Sequence, residues 1–177
     1  MIPPSIHPYR VEPGRLEHAA LLPAIELAAA TLFPADVLPE HLFDDSTPVS
    51  EFEDAAREER LLVALDGGGT PVGFAFLDVL DGQAHLEELD VLPEHGRRGL
   101  GRALVEATAQ WARQRGHTAV TLTTFRNVPW NAPFYRSAGF EEMATSEIGI
   151  ELAEIIQAEI DGGLEPSNRV AMRRRLD

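Results

Sequence analysis

Three groups of residues in this chain have types and spacings that can do chemistry. The first is the run Val91-Leu92-Pro93-Glu94-His95-Gly96-Arg97-Arg98-Gly99-Leu100-Gly101-Arg102-Ala103-Leu104, which reads as a strand end, a glycine-bearing turn and a helix start in immediate succession. The first turn of such a helix presents unpaired N–H groups and roughly half a positive charge, so it can hold a phosphate without any particular side chain. Gly99 and Gly101 let a ligand approach the main chain, and Arg97, Arg98 and Arg102 add charge-assisted hydrogen bonds. A diphosphate is the natural guest. The second group is Glu87 and Glu88, in the strand that enters this turn, where a carboxylate can take a proton from a bound substrate directly or through a water. The third is Tyr135, in Trp130-Asn131-Ala132-Pro133-Phe134-Tyr135-Arg136-Ser137-Ala138-Gly139-Phe140, where Pro133 suits a first helical turn and Gly139 its C-terminal end.

The pattern supplies the elements needed to position these groups. Leu61 to Leu65, Val72 to Leu80 and Ala84 to Leu92 are strand-like, with Asp66-Gly67-Gly68-Gly69 and Asp81-Gly82 as hairpin turns, which predicts three consecutive antiparallel strands. Regular alternation along the third puts His85, Glu87 and Leu89 on one face and Leu86, Glu88 and Asp90 on the other, and a bulge would shift this by one. Leu100, Ala103, Leu104, Ala107 and Trp111 form one apolar face of a helix that ends at Gly116. Thr118 to Thr124 reads as a β-branched buried strand, followed by a short helix around Asn131 to Ala138, a helix over Ile148 to Ile160, and strands near Phe140 and Arg169 to Arg175. Upstream, apolar spacing predicts one helix from Leu16 to Phe33, stopped by Pro34, and a second over Val49 to Glu59. The expected architecture is a mixed α/β layer structure in a single domain, residues 9–177, behind a flexible segment, residues 1–8, that contains Pro3, Pro4 and Pro8.

Composition removes several classes of chemistry. Cysteine is absent, which excludes disulfides, thiolate metal sites and a cysteinyl intermediate. All 15 basic residues are Arg, so a phosphate-loop lysine and a Schiff-base lysine are excluded as well. A dinucleotide fingerprint fails at the glycine turn, because its third glycine falls on Leu104 and Thr118 to Thr124 offers no acidic residue for a ribose. A turn whose arginines are merely solvated and a coenzyme A loop are the readings that remain.

The net charge of −14 opposes nucleic acid and favours cationic partners, including amines protonated at neutral pH. Met1 to Tyr9 lacks the basic start and apolar core of a signal peptide, and Leu21 to Phe33 is short and broken by Pro23 and Glu26; no membrane segment is expected, and the expected location is cytoplasmic. His85 and Glu87 alone are too few ligands for a metal, and none is expected.

The succession of strand, Pro93, the Arg97-Arg98-Gly99-Leu100-Gly101-Arg102 loop, amphipathic helix, strand, and Asn131-Ala132-Pro133-Phe134-Tyr135 with Gly139-Phe140 resembles the GCN5-related N-acetyltransferase (GNAT) superfamily from Leu61 to Phe140. Gly96 stands where members typically carry Gln or Arg, and Val128 where an asparagine is frequent, with Asn127 and Asn131 nearby. The resemblance implies a mostly antiparallel central sheet of about six to seven strands flanked by helices, with acetyl-CoA as co-substrate. It implies cofactor contacts from Arg97, Arg98, Gly99, Leu100, Gly101, Arg102 and either Asn127 or Asn131, with the pantetheine arm on the backbone of Leu89, Asp90 and Val91. The Val91 N–H would polarise the thioester carbonyl, and Tyr135 would protonate or hydrogen-bond the departing sulfur. Glu87 is the first choice as base for the incoming amine, with Glu88 as base or ammonium-binding group.

The reaction so implied is N-acetyl transfer to a primary amine by direct attack in a ternary complex. The acceptor is a small molecule or peptide, cationic if it follows the charge of the protein, and a monomer or homodimer both fit. Two alternatives belong to other classes: a non-catalytic acyl-CoA-binding regulatory domain, and a protein-interaction module using Ile148 to Leu164 and the arginine-ended tail as a partner surface, with a vestigial cofactor site.

Overall fold

The computed structural model describes residues 8–177, so the segment expected to be flexible lies outside the described residues except for Pro8. The core of the architecture is local. Strands β2 (Leu61–Leu65), β3 (Pro71–Leu80) and β4 (Gln83–Val91) follow one another through tight turns and pair antiparallel. At the β3–β4 turn Asp81 and Gly82 have φ of 51° and 75°, the left-handed pair that matches the twist of a two-residue hairpin. At the β2–β3 turn the Asp66 carboxylate accepts the N–H groups of Gly68 and Thr70, both at 2.9 Å.

Four further strands complete a seven-stranded sheet of order β1-β2-β3-β4-β5-β7-β6: β1 (Arg10–Pro13), β5 (Ala119–Phe125), β6 (Glu141–Glu142) and β7 (Arg169–Arg175). The β4–β5 pair is parallel, and all the other neighbours are antiparallel. Helix α4 (Leu100–Gln114) makes the crossover between β4 and β5 and packs Leu100, Leu104 and Trp111 on one face of the sheet. Helices α1 (Leu16–Ala19), α2 (Leu22–Ala30) and α3 (Val49–Arg57) cover the other face around Phe52, whose ring meets that of Phe74 edge-on at 5.2 Å. With both faces covered, every residue of β2 is buried, Leu62 and Ala64 toward α4 and Leu61, Val63 and Leu65 toward α1–α3. Helix α5 (Ala132–Ser137) lies between β5 and β6, and α6 (Ile150–Asp161) precedes β7.

Two elements differ from the sequence expectation. The single helix over Leu16 to Phe33 is two helices, because proline at 23 has no N–H and its ring would strike the carbonyl of Ala19 in a continuous helix; it sits instead in the first turn of α2. Strand β1 was not anticipated. It is a short edge strand ending in Pro13, and its partner β2 lies far along the chain.

Gly73 shows how closely β3 and β4 approach at the site end of the sheet. A Cβ there would lie 2.7 Å from the Asp90 carbonyl oxygen and 3.1 Å from Val91 Cγ2. Gly73→Ala is expected to lower stability by about 1–3 kcal/mol, the usual cost of overpacking, measured as a loss in the thermal or urea midpoint.

Candidate active site

The sheet splits where β4 meets β5. Only Ala84 and His85 of β4 pair with β5, opposite Val120 and Thr121, whereas β4 stays on β3 as far as Val91 opposite Gly73. Strand β5 is meanwhile held by β7 along its whole length, from Ala119 opposite Arg175 to Phe125 opposite Arg169. From Leu86 to Val91 the β5-facing edge of β4 is therefore open. Leu92 donates its N–H to Val72 O at 2.9 Å, so by the alternation of hydrogen-bonding groups along a strand the Val91 N–H points into the opening.

A bulge sets the side chains on this edge. Phe76 pairs with Glu88 and Leu77 with Leu86, leaving Glu87 as the extra residue. The alternation expected from the sequence is thus corrected: Leu86, Leu89 and Val91 share the core on the α4 side, while Glu88 and Asp90 sit on the opposite face with Phe76 and Phe74. The bulge aims Glu87 so that its Oε2 lies 3.6 Å from Nε2 of the buried His85.

One cleft of about 940 Å³ runs along this edge and between the two leaves of the sheet. At one end stands the start of α4. Gly99 is its N-cap with φ 82°, no side chain caps the helix, and the first N–H with a backbone carbonyl partner is that of Ala103, on Gly99 O at 3.0 Å. The N–H groups of Leu100, Gly101 and Arg102 are left to face a ligand. Gly99 is required by its left-handed backbone, but Gly101 is not required by packing, since a Cβ there would only touch Phe134 at 3.5 Å and Leu89 at 3.8 Å.

Leu89, Asp90, Val91, Arg97, Gly99, Leu100, Gly101 and Arg102 all line the cleft. Arg102 is anchored on α5 through the Ser137 carbonyl (3.2 Å) and hydroxyl (2.8 Å). Arg98 is outside the lining and reaches back to the Glu94 carbonyl at 3.3 Å. Of the two asparagines, Asn131 lines the cleft, its Oδ1 accepting from the Thr124 hydroxyl at 2.7 Å, whereas Asn127 is exposed outside it.

The other end is acidic. Glu87, Glu88 and Asp90 are joined there by Glu26 of α2 and by Asp45. The Glu26 carboxylate accepts from the Thr47 N–H at 3.0 Å and hydroxyl at 3.2 Å, and burial raises its pKa. Glu159 of α6 also lines the cleft but is paired with Arg169, whose Nη2 and Nε lie 2.6 and 3.1 Å from its two oxygens. Sequence reading missed Glu26, Asp45, Glu159 and Arg169. The only available signal was Glu26 itself, a charge inside an apolar helical run.

Burial, then the charge of Glu26, raises Glu88 to about 7, opposed by a hydrogen bond with Asp90; burial and the charge of Glu88 push Asp90 well above the ordinary carboxylate range. Two carboxylates that hydrogen-bond each other in a partly buried site share a proton rather than both ionise. Burial also raises Glu87, with Asp78 and Glu159 adding, although its side chain is 39 % exposed and solvent tempers the effect. Tyr135 lines the cleft beside this pair, and burial followed by the charges of Glu88 and Asp90 raises its pKa, so the phenol stays protonated as a donor.

The Glu88–Asp90 pair predicts a pH effect on stability. Carboxyls whose folded pKa is raised contribute fully below the unfolded value of roughly 4, and the contribution is lost as pH rises through the raised values, about 7 for Glu88. His18 and His85, both lowered by burial, act in the opposite sense, losing stability as pH falls below 6.5. Asp90→Asn should therefore flatten the fall in thermal midpoint between pH 5 and 8 relative to the parent, checked by melts across that range.

Among the described residues no helix is long and apolar enough to cross a membrane, and no three His, Asp or Glu side chains are grouped to hold a metal ion.

A model of the acetyltransferase (GNAT) family matches residues 25–140. The mycothiol acetyltransferase of Clavibacter sepedonicus is 36 % identical over 101 residues, 57 % of this chain and 32 % of that protein, so the match spans about a third of that relative's length. The aminoglycoside N(6')-acetyltransferase type 1 of Klebsiella aerogenes is 32 % identical over 123 residues, covering 64 % of this chain and 78 % of that protein. In structure the chain is similar to the paia N-acetyltransferase from Thermoplasma acidophilum in complex with coenzyme A, with a TM-score of 0.72 over 94 % of this chain and 98 % of that one. At 14 % identity that likeness concerns the fold alone.

Proposed function

The chain belongs to the GNAT family of acetyltransferases, and on that premise we propose that it transfers an acetyl group from acetyl-CoA to a primary amine of a small cationic molecule, by direct attack in a ternary complex. The observation that carries this reading is the division of one cleft into a phosphate-binding end, with the bare N-terminus of α4, Arg97 and Arg102, and an acidic end with Glu26, Asp45, Glu87, Glu88 and Asp90. An anionic donor and a cationic acceptor fit opposite ends and meet at the open edge of β4. The relative from Klebsiella aerogenes is named for an aminoglycoside, an amine-bearing small molecule, in keeping with such an acceptor.

The donor's pyrophosphate lies on the N–H groups of Leu100, Gly101 and Arg102, with Arg97 adding charge. Its pantetheine arm pairs with the backbone of Leu89, Asp90 and Val91 in place of the missing β5 partner, and Asn131 lies beside its path. The Val91 N–H polarises the thioester carbonyl. Glu87 takes the ammonium proton: it reaches the cleft from the bulge, whereas Glu88 and Asp90 share one proton, and the single negative charge left on that pair holds the acceptor. The neutral amine attacks the carbonyl, the tetrahedral adduct collapses with loss of the surplus nitrogen proton to solvent, and coenzyme A leaves as a thiolate hydrogen-bonded by Tyr135.

A thiol pKa near 8.5 makes the thiolate a competent leaving group without full proton transfer, so Tyr135→Phe is expected to lower kcat only about tenfold, with the acetyl-CoA Kd unchanged. The test of the function as a whole is calorimetric titration of acetyl-CoA, coenzyme A and NAD, followed by thiol release with a panel of amines. Micromolar binding of acetyl-CoA but not NAD, and turnover of diamines above neutral or anionic amines, is the expected result. Failure of the folded protein to bind acetyl-CoA would remove the reading.

A further inference from the structure

His85 stands at the last rung where β4 and β5 are still paired, opposite Thr121, and is 1 % exposed. Its Nδ1 lies 2.9 Å from Thr121 Oγ1, and that hydroxyl is also 3.4 Å from the Ala84 carbonyl oxygen, which can only accept. The hydroxyl has one proton. Sending it to Ala84 O leaves Thr121 Oγ1 to accept from His85 Nδ1–H, one of the two tautomers that the 2.9 Å contact allows and the one on which this inference rests. The lone pair of the imidazole is then on Nε2, and it faces Glu87 Oε2 at 3.6 Å. Two acceptors at that distance gain nothing from each other until a proton arrives between them.

We infer that His85 is a positioning residue for Glu87: once Glu87 has taken the proton of the incoming ammonium, the neutral carboxyl donates it as a hydrogen bond to His85 Nε2, which stabilises the protonated base and fixes its rotamer. This rests on the acetyltransferase reading and on Glu87 as the base. One N–H bond of the acceptor breaks, one O–H bond on Glu87 forms, and the imidazole stays neutral throughout, consistent with the downward shift that burial imposes on it. Thr121 acts one step further out by holding the tautomer. The charged groups facing this pair are Glu88 on the same strand, Asp78 on β3, Glu51 on α3, Glu159 on α6 and Arg60 ahead of β2, and all are unchanged in the variants below.

The experiment is a steady-state pH profile, with acetyl-CoA affinity by calorimetry, for the parent, His85→Leu, His85→Gln, Thr121→Val, Glu87→Gln and the His85→Leu/Glu87→Gln double variant. His85→Leu is expected to lower kcat about tenfold, to move the acidic limb of kcat/KM to lower pH because protonated Glu87 has lost its partner, and to leave the acetyl-CoA Kd unchanged. His85→Gln, whose amide oxygen reaches the Nε2 position, recovers part of the loss. The double variant is no slower than Glu87→Gln. Should His85→Leu fail to fold, Thr121→Val, close to isosteric, is expected to show the same limb shift at smaller amplitude. An unmoved limb in the folded variants, or losses that add in the double variant, overturns the inference while leaving the acetyltransferase reading in place. A parent that binds no acetyl-CoA overturns both, and a Glu87→Gln variant as fast as the parent overturns the base assignment together with this inference.

Discussion

Glu87→Gln is expected to lower kcat by about 10² to 10⁴ with the acetyl-CoA Kd unchanged, the range over which a positioned general base acts. The change is nearly isosteric and removes only the capacity to take a proton. Fold stability should scarcely move, because the side chain is 39 % exposed at a bulge and packs no core. The loss should shrink at high pH, where more of the amine arrives already neutral, and that pH dependence separates a base from a substrate-binding charge. Glu88→Gln makes the contrast: with the charge of the Glu88–Asp90 pair proposed to hold the acceptor, the variant is expected to raise KM for a cationic amine more than it lowers kcat. Steady-state kinetics with both variants between pH 6 and 9.5 reads the two roles apart.

Gly101 provides the second large effect, and its sign differs between stability and binding. The residue lies in the first turn of α4, where a Cβ would make only ordinary contacts with Phe134 and Leu89. Alanine is the better helix former by roughly 1 kcal/mol, so Gly101→Ala is expected to raise the thermal midpoint slightly while weakening acetyl-CoA, whose pyrophosphate needs the bare main chain. Gly101→Asp adds a carboxylate against the phosphates. A like charge at about 4 Å costs about 4 kcal/mol at the effective dielectric of a protein surface, or nearly a thousandfold in Kd. Calorimetry and melts on both variants check this. A Gly101→Ala protein that is destabilised would mean the glycine serves the fold, and one that binds acetyl-CoA as well as the parent would remove the pyrophosphate from this turn.

Much of the glycine-turn end of this cleft was legible without coordinates. The hairpins at Asp66–Gly69 and Asp81–Gly82, the amphipathic face of α4 and the glycine turn before it are local patterns, in which backbone preference and side-chain period agree within a dozen residues. Strand β7 was placed at Arg169–Arg175 for the same reason. Glu87, Glu88 and Tyr135 could be singled out because their spacing to that turn is short, and the cleft does bring them together.

The acidic end depended on contacts between distant segments. Glu26, Asp45 and Glu159 reach the cleft from α2, the loop after it and α6, and nothing in the chain order relates them to β4. The bulge at Glu87 is a slip in pairing between β3 and β4, so it exists only once the two strands are aligned, and it decides which acids share a face. The parting of β4 from β5 after His85 is likewise a property of the pair, set by β5 following β7 and β4 following β3. Sequence alone determined the turn that can hold a diphosphate and the residue types available to move a proton, because those are short-range matters of backbone freedom and charge. Tertiary structure alone decided which carboxylates face which, how far each is removed from water, and that an open strand edge runs between the two ends of the cleft, because burial and strand pairing are set by the neighbours that folding brings.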